Sequence, residues 1–150
     1  MQQHILVPTD GSEHSLKAAA YAGELARAFN ARVSLLSVLD GQAVVAAVWG
    51  SVDAAEQSAQ SGKSREDCEA DVLSESFPET IAALGALESK PETAHAWGHP
   101  ASEICDYAKD NDVDQIFMGS HGRTGIRAAL LGSVSHGVVN RAHCTVTIVR

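Results

Sequence analysis

The chain has 150 residues, enough for one domain with a sizeable core, and 45% of them are hydrophobic against only 5% aromatic, so that core is aliphatic. A formal net charge of −8 argues against non-specific nucleic-acid binding, which needs a cationic surface. No apolar run approaches the roughly 20 residues that span a bilayer. Met1-Gln2-Gln3-His4 lacks the basic region that opens a signal peptide, and Cys68, Cys105 and Cys144 are odd in number without CxxC spacing; together these features predict a reduced, cytoplasmic protein.

His4-Ile5-Leu6-Val7-Pro8-Thr9 is a short apolar run without alternation, the pattern of a strand buried on both faces of a parallel sheet. Asp10-Gly11-Ser12 follows as a turn, with Ser12 a candidate N-cap for a helix from Glu13 to Asn30. Leu16, Ala19, Ala20, Gly23, Ala26 and Phe29 recur at helical spacing and predict its apolar stripe. Arg32 to Leu39 is a second strand, and two strands joined by a helix imply a right-handed βαβ unit. Residues 40–63 fit either a loop or a short helix. A helix is expected from about Ser64 to Leu87, with Pro78 kinking or splitting it.

Thr93 to Trp97 is a short third strand, and Pro100 sits where a helix over Ala101–Asn111 would begin. Gln115 to Met118 is the fourth strand. A helix from Ser133 to about Arg141 follows, then a fifth strand from Cys144 to Arg150. This last run alternates, with Val146, Ile148 and Arg150 on one face and Thr145, Thr147 and Val149 on the other, as suits a sheet edge. The alternation of strands and helices predicts a single doubly wound α/β domain over residues 1–150, a five-stranded parallel sheet with helices on both faces. Such sheets bind ligands at the carboxyl ends of the strands flanking the topological switch point. If strands 1 and 4 are neighbours, Asp10 and Gly119 face each other across one crevice.

The stretch between the fourth strand and the last helix carries the chemistry. Glycines at 119, 122, 125 and 132 leave main-chain amides unshielded, and a helix start follows them. Helix-start N–H groups are unpaired and the dipole favours an anion, so strand, glycine loop and helix together make a phosphate seat. From Gln115 to Arg150 there is no Asp or Glu, but Arg123, Arg127, Arg141 and Arg150 are present. Residues 1–114 hold seven Lys and Arg against nineteen Asp and Glu. An acidic chain whose last quarter is purely basic fits a polyphosphate ligand. The Walker string and its phosphate-binding lysine are absent.

His121 suits either a ligand contact or an exposed loop position, and no neighbouring carboxylate in sequence would orient it as a base. His95 and His99 have i, i+4 spacing but straddle a strand end and a turn, so no metal is expected there. No catalytic residue is assigned. The acid-free region 115–150 offers neither a base nor a metal carboxylate, so efficient hydrolysis of a bound polyphosphate is not expected.

These residues resemble the universal stress protein family over nearly the whole length. The family's nucleotide-binding signature, G-x2-G-x9-G-[ST], is met by Gly119, Gly122, Gly132 and Ser133. Ile5-Leu6-Val7-Pro8-Thr9-Asp10-Gly11-Ser12 resembles its opening, Gly98-His99-Pro100-Ala101-Ser102-Glu103-Ile104 its turn before the third helix, and Cys144 to Arg150 its tail. Thr145 stands where proline is usual, adding an N–H at the tail.

The resemblance implies an ATP-binding member, with Mg or Mn held mainly by the phosphates. By position it implies that Gly119, Ser120, His121 and Gly122 line ribose and phosphates; Arg123 and Arg127 suit general electrostatic support of the phosphates more than a direct contact. It implies that Gly132, Ser133, Val134 and Ser135 hold the outer phosphates and that Asp10 approaches ribose or base. Pro8, Thr9, Val38 and Met118 would line the adenine pocket, with Val38 main-chain groups reading the base edge. It further implies a homodimer through the C-terminal strand 145–149 and a nucleotide-dependent regulator in stress response, acting on a partner protein not identified by the sequence. The alternatives are a slow ATPase and an interaction module of the same family that binds no nucleotide.

Overall fold

Five strands form one parallel sheet: β1 (His4–Pro8), β2 (Arg32–Leu39), β3 (Glu92–Trp97), β4 (Gln115–Gly119) and β5 (Thr145–Val149), in the order β3-β2-β1-β4-β5. The computed structural model describes residues 3–40, 77–122 and 131–150. The chain winds one way from β1 through β2 to β3 and the other way through β4 to β5, so the switch point lies between β1 and β4. That adjacency is the one the site requires, and the ladder pairs Ile5 with Gln115 and Leu6 with Ile116.

Because side chains alternate across a strand, the sheet feeds two cores, one on each face. Ile5, Val7, Val33, Leu35, Phe117 and Val149 belong to one. Leu6, Leu36, Ile116 and Met118 belong to the other. Helix α1 (Glu13–Phe29) and helical residues 77–84 (α2) cover the first face. Helices α3 (Pro100–Asp110) and α4 (Ser133–Arg141) cover the second. The doubly wound expectation therefore holds, and β5 is an edge strand as its alternation implied.

Helix α1 starts where its sequence says. The Ser15 N–H donates to the Ser12 hydroxyl at 3.4 Å, and the Ser15 hydroxyl donates back to the Ser12 carbonyl at 2.9 Å. Asn30 ends the helix in the left-handed region, φ 50°, with its N–H on the Ala26 carbonyl. The buried face differs from the expected stripe: Ser15, Ala18, Ala19, Ala22, Gly23 and Ala26 point inward, while Ala20 is exposed and Phe29 is 61% exposed. The reason is the depth of the seam. A Cβ on Gly23 would run into the Leu84 carbonyl, so small residues set this face rather than large apolar ones.

Helix α2 stops at Leu84, three residues short of the expected Leu87, because Gly85 turns the chain at φ 74° and the Arg27 guanidinium donates to the Leu84 carbonyl at 2.7 Å. Pro78 falls in its first described turn; the expectations for residues 41–76 lie outside the described residues. The other boundaries agree with the sequence to within a residue or so: Pro100 occupies the first turn of α3, and Ser133–Arg141 forms α4 as expected.

Candidate functional site

Two loops meet at the carboxyl ends of β1 and β4. Past β1, the Ser12 N–H donates to Asp10 Oδ1 at 2.9 Å, which fixes the carboxylate over the start of α1. Its other oxygen faces the second loop: a Cβ on Gly122 would lie 2.7 Å from Asp10 Oδ2. A side chain at Gly122 would have to push that carboxylate aside.

Thr9 is placed differently from the expected pocket lining. Its side chain is buried, its hydroxyl 2.8 Å from the Thr80 hydroxyl and donating to Ser15 at 3.2 Å, while it accepts the Gly11 N–H at 3.2 Å. These bonds tie α1 to α2, so the side chain is turned into that seam, away from the expected pocket. Pro8 is buried in the sheet as well.

Val38 lies on β2 just past the last residue that β1 pairs. The Leu36 carbonyl accepts the Thr9 N–H at 2.9 Å, the last such bond β1 makes to β2, and in a parallel strand residues two apart point their main-chain groups to the same side. The Val38 N–H and C=O therefore face the gap that β1 leaves. Met118 is buried in the core beneath, on the same face of the sheet as the Val38 side chain.

Ser120 is the junction of the second loop. Its N–H donates to the Val149 carbonyl at 2.9 Å, and its own carbonyl accepts from the Gly132 N–H at 2.8 Å and the Ser135 hydroxyl at 2.9 Å. Two expectations change here. Ser120 and Ser135 are each 2% exposed, so neither hydroxyl lines an open phosphate site. A hydroxyl has one proton, and that of Ser135 is spent on the Ser120 and Gly132 carbonyls.

The start of α4 leaves main-chain N–H groups outside its own ladder. The first intrahelical bond runs from the His136 N–H to the Gly132 carbonyl, so the N–H groups of Ser133, Val134 and Ser135 precede the ladder and point out of the helix start. Ser133 is exposed there. Gly119 has another role than baring an amide: a Cβ would lie 2.7 Å from His14 Cβ and 2.8 Å from the His14 carbonyl carbon, so α1 sits directly on it. Arg123, expected near the phosphates, lies outside the described residues.

The sequence reading missed His14. It stands on the first turn of α1, its ring centroid 5.6 Å from that of His121. Nothing in the local string marks it, because the partner is more than a hundred residues away. His95 stacks near Phe77, ring centroids 5.1 Å apart. No group of three metal-ligating side chains occurs among the described residues. At the opposite, amino end of the sheet a polar hollow of about 1090 Å³ is lined by His4, Arg32, Asp112, Asp114 and His143 among others, away from the strand ends where this architecture binds ligands.

Fold and crevice together define a doubly wound α/β domain with a glycine-bordered gap between the carboxyl ends of β1 and β4. The Usp family model, the universal stress protein family, matches residues 1–150, and the chain belongs to that family. The universal stress protein YxiE of Bacillus subtilis is 36% identical over 152 residues, covering 100% of both chains. The solved structure of UspA from Lactobacillus plantarum aligns with TM-score 0.75 and 25% identity, over 99% of this chain and 97% of that one. A universal stress protein crystallised in complex with cAMP aligns with TM-score 0.64 and 26% identity, over 99% and 97% of the two chains. No helix among the described residues is long and apolar enough to cross a membrane.

Proposed function

We propose that this universal stress protein binds ATP in the gap between β1 and β4 and acts in the cytoplasm as a nucleotide-dependent regulator in stress response. The observation that carries this reading is the meeting of the two loops, Asp10 Oδ2 against Gly122 on one side and the free start of α4, bonded back to Ser120, on the other. Adenine would lie by Val38 and Met118, with the Val38 main chain reading its edge. The phosphates would take the Ser133, Val134 and Ser135 N–H groups and the +4 charge of a segment without acids. Gly119, Ser120 and Gly132 shape the seat, and His121 borders it. Any Mg or Mn would arrive with ATP and be held chiefly by its phosphates, with Asp10 beside them. A relative crystallised with cAMP supports an adenine nucleotide, and the acid-free helix start favours a polyphosphate over a single phosphate.

Turnover is slow at most in this reading, because the segment carrying the phosphate seat has no carboxylate to serve as base. The output is a change of shape or assembly read by a partner protein. The assembly proposed is a homodimer through β5. Val149 directs its carbonyl to β4, so Thr145 and Thr147 do likewise, while the main-chain groups of Val146 and Ile148 turn to the open edge, where a second copy can pair with them. By the same parity the Thr145 N–H, extra with respect to proline, faces β4 and leaves the dimer register untouched. Native mass spectrometry of the purified chain tests the whole: retained ATP on a particle of twice the chain mass is expected, and a bare monomer that takes up no added ATP would refute it.

A further inference from the structure

We infer that His4, Arg32 and the Asn111 carbonyl form a proton-operated exchange at the amino end of the sheet: neutral His4 holds Arg32, and protonated His4 releases it and takes the Asn111 carbonyl instead. The exchange is independent of any nucleotide. His4 Nδ1 has two neighbours, Arg32 Nη2 at 2.8 Å and the Asn111 carbonyl oxygen at 3.0 Å. In the ring plane this nitrogen carries either a lone pair or a proton, never both. A guanidinium only donates and a carbonyl only accepts, so Nδ1 serves one of these neighbours at a time.

The other ring nitrogen decides which neighbour is served in the neutral state. Nε2 lies 2.8 Å from Ser34 Oγ, which is fully buried and donates onward to Glu92 Oε2 at 3.5 Å. With the proton on Nε2 every donor in the row has an acceptor: Arg32 gives to His4, His4 to Ser34 and Ser34 to Glu92. The second Glu92 oxygen lies 4.0 Å from Arg32 Nη1 and closes the ring of charges. With the proton on Nδ1, Ser34 would turn its hydrogen back to His4, Glu92 would lose it, and the guanidinium would face an N–H. Neutral His4 is therefore the Nε2–H tautomer, and it ties β1 to β2 and β3.

A second proton has only Nδ1 to go to. There it fills the position that held Arg32, sets a like charge against the guanidinium, and meets the acceptor already in place on the turn before β4. The main chain need not move. The His4 N–H stays on the Asp114 carboxylate, the Asp114 N–H on the His4 carbonyl, and the Arg32 N–H on the Gln3 carbonyl. The Arg32 side chain is half-exposed and swings into the polar hollow, whose walls also carry Asp112, Asp114 and His143. Burial opposes the second proton most and Arg32 adds to it, whereas the Asn111 carbonyl, Glu92 and Asp114 favour it. The exchange thus belongs to acid conditions.

Long-range proton–nitrogen NMR of the full chain reads both states. At about pH 8, where histidine is neutral, His4 should show a protonated Nε2 and a bare Nδ1. Arg32→Met, which removes the donor, should move neutral His4 to mainly Nδ1–H and shift its titration midpoint upward. Arg32→Lys keeps a charged donor and should retain Nε2–H. As the unmutated chain is acidified past the His4 midpoint, the Arg32 side-chain N–H signals should shift and exchange with water faster at that same midpoint. A protonated Nδ1 at pH 8 in the unmutated protein would overturn the inference. So would Arg32 signals that ignore the His4 midpoint, or an Arg32→Met chain whose His4 tautomer is unchanged.

Discussion

The Ser135 hydroxyl donates to the Ser120 carbonyl across 2.9 Å, joining the start of α4 to the end of β4 inside the protein. A residue whose type suggests a phosphate contact is thus a strut that holds the seat. Ser135→Ala removes the strut but leaves the Gly132 N–H on the same carbonyl. It should cost about 1 kcal/mol of stability, the usual net value of one such bond. Urea unfolding of the two proteins checks this, and an unshifted midpoint would mean the bond holds nothing.

Two glycines of the signature should respond differently to alanine. At Gly119 the new Cβ meets the His14 Cβ and main chain, which cannot yield without moving α1. A loss of roughly 1–3 kcal/mol is expected from this overpacking. At Gly122 it meets a carboxylate oxygen of Asp10, the end of a side chain that can swing away. Gly122→Ala should therefore weaken nucleotide affinity more than stability. Thermal unfolding paired with ATP titration of both variants separates the effects, and equal stability losses would contradict the contrast.

Acid should weaken the amino end of the sheet through His4. Its Nε2 meets the Ser34 hydroxyl at 2.8 Å, and its Nδ1 lies 3.0 Å from the Asn111 carbonyl and 2.8 Å from the Arg32 guanidinium. Burial, chiefly, holds this imidazole below its ordinary 6.5; Arg32 lowers it further, while the Asn111 carbonyl, Glu92 and Asp114 pull the other way. Below that pH the unfolded chain binds the proton more readily than the folded one. The stability due to neutral His4 is complete above 6.5 and is lost as pH falls beneath it. The contribution to the slope is at most about 1.4 kcal/mol per pH unit. His4→Gln should flatten the stability curve between about pH 7 and 5; parallel curves for the two proteins would contradict this.

The edge of β5 offers a test of the proposed homodimer. Val146→Pro removes an N–H on the open side of the strand and none from the ladder to β4. Light scattering should then report half the mass of the unmutated protein, and an unchanged mass would refute pairing through this edge.

What the sequence told, and what it hid, follows from the range of the interactions. Strand limits such as Arg32–Leu39, the Ser12 cap and the Asn30 stop were legible because each is set by residues a few positions apart. The glycine spacing from Gly119 to Ser133 was legible for the same reason. The α1 stripe was misread because its depth is decided by Leu84, far along the chain. The inward hydroxyls of Thr9, Ser120 and Ser135 could not be told from outward ones, since serine and threonine look alike in a string whichever way they turn. His14 was hidden by its distance from His121, although its neighbour Gly119 carried the trace of a close helix.

Calorimetric titration of the nucleotide-free chain with Mg-ATP tests the central claim most directly. A single site per chain with a dissociation constant in the micromolar range, about −8 kcal/mol, is the predicted result, weakened at least tenfold by Gly122→Glu, which would drive a second carboxylate against Asp10. No heat below millimolar ATP, or an affinity untouched by that substitution, would contradict a nucleotide seat between β1 and β4.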